Sequence, residues 1–148
     1  MFSASYDGEL FGWLRDEPVD APQQAWLEKA VGLGIEFSRE VSGDHADSRL
    51  IDVIVIGRAA ETLWAASPGS PHWRDLDVDV FLSALERARM GRWRDSAIVT
   101  LIAFAHFLAK HGYVSGREAL VLRSRLDPHA PPAFIAAGVL LSAWLRPN

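Results

Sequence analysis

Apolar residues recur along this chain at the spacing of an α-helix nearly from end to end, and that rhythm constrains the fold more than any other feature. Side chains that return every three or four positions line one face of a helix, which can then be buried against a neighbour. Leu10, Phe11 and Leu14 share such a face and predict a short helix over residues 8–15. Asp20 suits the cap of a second helix, Pro22 fits its first turn, and Trp26, Leu27, Ala30, Val31, Leu33 and Phe37 supply its buried stripe. Residues 42–47 read as a loop.

Residues 50–57 are the ambiguous stretch. Ile51, Val53, Ile54, Val55 and Ile56 are β-branched and suit a buried strand. As a helix, Val53, Ile56, Ala60, Leu63 and Trp64 fall on one face, and no turn signal intervenes before Ser67-Pro68-Gly69. A lone strand would have nothing to pair with, because no other segment reads as one. A helix is expected.

After the break at residues 67–71, a fourth helix is expected from about Asp75, burying Val78, Phe81, Leu82 and Leu85 and ending near Gly91. Asp95 or Ser96 is the expected cap of a fifth. In it Ile98, Leu101, Ile102, Ala105 and Leu108 form one face, while Val99, Phe104 and Phe107 cover much of the rest. Gly112 suits the position just past its end, with Tyr113 folding back toward Leu108. Ser115 and Glu118 form a capping box for a sixth helix, which Asp127-Pro128 ends. Pro132 opens a last helix running to about Leu145. The expected fold is all-α: a single domain over residues 1–148, with six to seven helices around one central, nearly fully buried helix.

A chain of 148 residues, 49% hydrophobic and 23% charged, is long enough for one sizeable core. It has no cysteine, which excludes disulfides, thiolate metal sites and cysteine nucleophiles and suits a reducing compartment. The first ten residues, MFSASYDGEL, lack the basic start and apolar run of a secretion signal. The most apolar segment, residues 133–145, reaches only about 20 Å as a helix, short of a membrane span. It reads as a buried helix, and a cytoplasmic protein without membrane association is expected.

Charge is divided unequally. Residues 1–80 carry 15 acidic and 6 basic side chains, a balance of −9, whereas residues 81–148 carry 4 and 9, a balance of +5. Either the halves neutralise each other or one pole meets a charged partner. Asp75, Asp77 and Asp79 form the densest acidic cluster, directly after Trp73. As a strand, this run would set three carboxylates on one face, which is the basis for a metal-site enzyme. With Gly69-Ser70 upstream it resembles the nucleotidyltransferase pattern over about ten residues. It departs from that pattern in its short gap, in Pro68 and in the helical sequence that follows. An acidic first helical turn, favoured by the macrodipole, explains the cluster better.

Arg87, Arg89, Arg92 and Arg94 surround Trp93, a grouping that suits the end of a helix, nucleic acid or a carboxylate-rich surface. Residues 104–126 read as helix, glycine turn and capped helix, with Arg117, Val121, Ser124 and Arg125 facing outward. A DNA-binding regulator would use Arg117, Ser124 and Arg125. The apolar first helix and the net charge of −4 favour a plain helical hairpin instead. The five histidines are scattered without metal-ligand spacing, and no cofactor motif is legible, so neither metal nor cofactor is expected.

The reading that results is a non-enzymatic interaction protein. Bacterial immunity proteins and antitoxins offer a class-level analogy, being small acidic helical domains that cover a basic surface on another protein. Asp44, Asp47, Asp75, Asp77 and Asp79 would steer the encounter, with Trp73 as the aromatic anchor.

Overall fold

The computed structural model describes residues 21–42 and 46–131. Among them the regular structure is helical, without a strand: α1 (Ala21–Ser42), α2 (Ala46–Ala66), α3 (Val78–Arg87), α4 (Arg94–Lys110) and α5 (Gly116–Leu126). Short 3-10 turns lie at Trp73–Asp75, Gly91–Trp93 and Asp127–His129. The helices expected over 8–15 and from Pro132 to about Leu145 lie outside the described residues. The chain divides into two compact units, Met1–Pro71 and His72–Asn148.

In the first unit α1 and α2 form an antiparallel hairpin. The Trp26 indole N–H donates to the Ala60 carbonyl at 2.9 Å, and further along Gly34 lies against Ile56. Position 26 therefore opposes 60 while 34 opposes 56, so the two helices run in opposite senses. A methyl group at Gly34 would sit 3.5 Å from Ile56 Cδ1, which is ordinary packing distance. The expected stripe of α1 is buried at Leu27, Ala30, Val31, Leu33 and Phe37, with Trp26 half-buried.

The ambiguous stretch belongs to α2 and is helical. β-Branched residues lose little helix propensity, a few tenths of a kcal/mol each, so burial decides the outcome. Val53, Val55, Ile56, Ala59, Ala60, Leu63 and Trp64 are all buried. The connection is shorter than the expected loop, because Ala46 and Asp47 already belong to α2.

In the second unit the start of α3 differs from expectation. The helix begins at Val78 with Asp77 as its cap, while Asp75 ends a separate 3-10 turn. A 3-10 turn repeats every three residues, so Trp73 and Leu76 fall on the same side, and both are buried. Within α3, Val78, Phe81 and Leu85 are buried and Leu82 is half-buried.

The helix ends at Arg87, near Gly91 as expected, but a different residue turns the chain. Arg89, rather than Gly91, takes the left-handed conformation that closes the helix, with φ 61°. Met90 N–H bonds to Leu85 O at 2.8 Å and Arg89 N–H to Glu86 O at 3.0 Å, a Schellman ending with an arginine where glycine is usual. Gly91 serves a different need. A Cβ at that position would press the Glu86 carboxylate at 3.2 Å. The left-handed backbone costs a side-chain-bearing residue about 1 kcal/mol, so Arg89→Gly should stabilise the protein by that order. Urea denaturation checks this; a loss of stability would mean that the arginine side chain holds the turn in place.

Helix α4 opens from the 3-10 turn with Trp93 at the cap position, so neither Asp95 nor Ser96 caps it; Asp95 lies in the first turn. The turn Gly91–Trp93 already delivers the chain in helical geometry, so a side-chain cap is not required. From Ala97 to Leu108 every residue is buried or half-buried, with Ile98, Leu101, Ile102 and Leu108 fully enclosed. Helix α4 ends as expected. Gly112 has φ 76°, its N–H bonds to Ala109 O at 3.1 Å, and Tyr113 N–H bonds to Leu108 O at 2.8 Å. Ser115 then caps α5, accepting from the Glu118 N–H at 3.1 Å.

Candidate functional site

The acidic run is exposed because its neighbours are buried. Trp73, Leu76, Val78 and Phe81 point into the second unit, which leaves Asp75, Asp77 and Asp79 at the surface. Each carboxylate has its own local role. Asp77 accepts the Val80 N–H at 3.1 Å and caps α3. Asp79 lies in the first turn, where the positive end of the helix dipole favours it, and its side chain is 88% exposed. Asp75 is half-exposed, 3.9 Å from Arg74.

Cations stand at the edges of this run without neutralising it. Arg74 is shared between Asp75 and Glu118, at 3.9 Å from each. His129 Nε2 lies 3.9 Å from Asp79 Oδ1 and adds a charge only when protonated. Separations of this length between exposed groups contribute little, about 1 kcal/mol at most. The run therefore stays an acidic surface.

Trp73 is not part of that surface. It is 7% exposed, and its ring meets Phe104 edge to face at 5.1 Å. Phe104 stacks in turn on Phe107 at 6.0 Å. The proposed aromatic anchor is a core residue, because the 3-10 turn that exposes Asp75 rotates the indole inward. Asp44 lies outside the described residues. Asp47 is in the first turn of α2, and its side chain lies outside those described.

The strand geometry required by the metal-site reading is absent from the run, since Asp75, Asp77 and Asp79 belong to a 3-10 turn, a cap and a helical turn. Among the described residues no group of three His, Cys, Asp or Glu side chains is placed to hold a metal ion. A shallow cleft of about 240 Å³ lies beside α3, lined by Asp79, Ser83, Glu86 and Arg94 over Leu82 and Leu85. Its two carboxylates, one guanidinium and one hydroxyl include no imidazole to activate the serine.

The basic candidates are spread over the end of α3, the turn after it, the start of α4, and α5. Arg87 and Arg89 are exposed at the end of α3, Arg92 stacks its guanidinium 5.0 Å from the Trp93 ring, and Arg94 stands 3.9 Å from Asp95. On α5, Arg117, Ser124 and Arg125 are exposed opposite the buried Leu122 and Leu126. The Ser124 hydroxyl, however, donates to the Val121 carbonyl at 2.7 Å and is turned back on its own helix.

One surface residue escaped the sequence reading. Leu120 is 68% exposed at one edge of the outward face of α5, between Arg117 and Arg125 along the helix axis. The signal was its position three residues after Arg117, off the inward stripe of Ala119, Leu122 and Leu126. No helix among the described residues is long and apolar enough to cross a membrane. Compared with family models, curated proteins and solved structures, the chain matches none of them.

Proposed function

We propose that the protein is a non-enzymatic interaction module that covers a basic surface on a partner protein with its acidic run, in the manner of an immunity protein or antitoxin. One observation carries the proposal: three exposed carboxylates occur within five residues, held on a turn and helix start whose alternate residues are buried. Such a surface keeps its shape on binding and adds little ordering cost. Its charge would raise the association rate by long-range steering, and salt would weaken that effect. With Trp73 in the core, the encounter rests on charge rather than on an aromatic anchor.

The test is the triple change Asp75→Asn, Asp77→Asn and Asp79→Asn. Asparagine caps a helix about as well as aspartate, so α3 should keep its start and the melting temperature should hardly move. With a partner captured by the wild-type chain, stopped-flow kinetics should show association slowed about tenfold or more and a flattened salt dependence. Arg87→Glu with Arg89→Glu should matter less. If those arginine changes abolish binding while the aspartate changes do nothing, the basic pole is the working surface and nucleic acid becomes the better partner.

A further inference from the structure

We propose that the outward face of α5 is a second docking surface, built for an acidic amphipathic helix of a partner protein. Arg117, Leu120, Val121, Ser124 and Arg125 follow one another at the i, i+3, i+4, i+7, i+8 spacing of a single helical stripe. All five are exposed, Leu120 at 68% and Val121 at 37%, and they stand opposite the buried Leu122 and Leu126. A large aliphatic side chain this open, next to a second one, is the kind of surface that marks a contact when charges rim it.

The charges on that rim select the occupant. Arg117 and Arg125 make no ion pair among the described residues, whereas Arg123 on the flank is engaged with Asp127 at 3.5 Å. Eight residues of helix set the backbone positions of Arg117 and Arg125 about 12 Å apart along the axis. A partner helix with two central apolar residues and a carboxylate one turn to either side would match this spacing. Each carboxylate would receive the planar fork of one arginine, while the apolar pair would cover Leu120 and Val121.

Nucleic acid fits less well. The arginines suit phosphates, but between them lie an aliphatic pair and a serine whose hydroxyl is bonded to Val121 O. That leaves no donor at the centre of the stripe to read a base edge. Residues 132–148 contain no Asp or Glu, whereas residues 1–20 contain Asp7, Glu9, Asp16, Glu17 and Asp20. This inference does not depend on the acidic run, and the variants that test it leave that run intact.

The experiment uses the full chain and a fluorescein-labelled alanine- and glutamine-based peptide of about 15 residues, near the length at which such helices persist. It carries two adjacent leucines at its centre and a glutamate one turn to each side. A matched peptide has glutamine in place of both glutamates. Fluorescence anisotropy at low salt should show the glutamate peptide binding about tenfold more tightly than its glutamine counterpart. Arg117→Gln with Arg125→Gln should remove that preference and flatten the salt dependence. Leu120→Gln should weaken binding about tenfold and leave the salt dependence in place. Amide shifts on binding should map to residues 116–126, and melting temperatures should be unchanged because all three positions are exposed.

Equal affinity for the two peptides, or amide shifts centred elsewhere, would overturn the proposal. So would tighter binding of a DNA duplex that is lost in the arginine variant and kept in Leu120→Gln, which assigns the face to nucleic acid. Self-association in sedimentation experiments that disappears in Leu120→Gln would also overturn it, because a second copy would then be the occupant. Tighter peptide binding by a chain carrying Asp7→Asn, Glu9→Gln, Asp16→Asn and Glu17→Gln would make this chain's own segment the occupant and overturn the proposal.

Discussion

Trp73→Ala will destabilise the protein by about 3–5 kcal/mol, the cost of removing a large aromatic side chain from a packed core. Two effects add. The indole gives up the apolar burial that a 7% exposed side chain has gained, and a cavity is left beside Phe104 and Leu76, which are themselves fully buried. The edge-to-face contact with Phe104, at 5.1 Å with the rings 78° apart, is lost as well. Urea denaturation followed by far-UV circular dichroism should show the midpoint falling sharply, and Trp73→Phe should recover a large part of the loss. A change below about 1 kcal/mol would place the indole at the surface, where truncation is tolerated. The result also bears on function. Lost binding in Trp73→Ala would report unfolding rather than a missing contact, so the acidic surface has to be tested with the aspartates.

Much of the fold was legible because helices are written locally. The stripe of α1, the enclosed residues of α4, the glycine ending at Gly112 and the Ser115 cap all follow from spacings within a turn or two of helix. What was misread depends on contacts distant in sequence or on backbone choices with little sequence cost. Asp75 and Asp77 are equally good caps by composition. The burial of both Trp73 and Leu76 decides between them, by drawing the preceding residues into a 3-10 turn. Nothing in the sequence of α3 announces a left-handed arginine, since Gly91 stands two residues away as the more obvious terminator.

The candidate site was legible in its charges and illegible in its orientation. That Asp75, Asp77 and Asp79 would be exposed follows from their carboxylates, which are costly to bury. That Trp73 would not stand beside them is a matter of one rotation about the turn. Leu120 is the converse case. An exposed leucine breaks the expectation from residue type, and only the direction in which Leu122 and Leu126 point reveals it. Both errors concern which way a side chain faces, and facing is set by packing across the unit.

The second large effect belongs to the stretch where helix and strand competed. Val55 and Ile56 are adjacent and both fully buried, as they would be in a strand covered on both faces, so burial alone does not separate the two and the helical pairing with α1 does. An enclosed helix hides both, and in α2 Ile56 faces Gly34 of α1. Ile56→Asp would therefore place an unpaired carboxylate against Gly34 of the facing helix. Burying such a charge without a partner exceeds the usual range for a point substitution, about 4 kcal/mol or more, and is expected to unfold the first unit at neutral pH. The pH dependence supplies a control. Burial raises the folded-state pKa of the new carboxyl above its unfolded value, so the folded form binds the proton more tightly and the penalty shrinks as pH falls through that raised pKa. Ile56→Asp should accordingly regain part of its helical circular dichroism between neutral pH and about pH 5, a range in which Ile56→Val, about 1 kcal/mol less stable than wild type, has no new group to titrate. A fully folded Ile56→Asp at pH 7 would mean that this face of α2 is open to water, and the hairpin described by Trp26, Gly34, Ile56 and Ala60 would have to be abandoned.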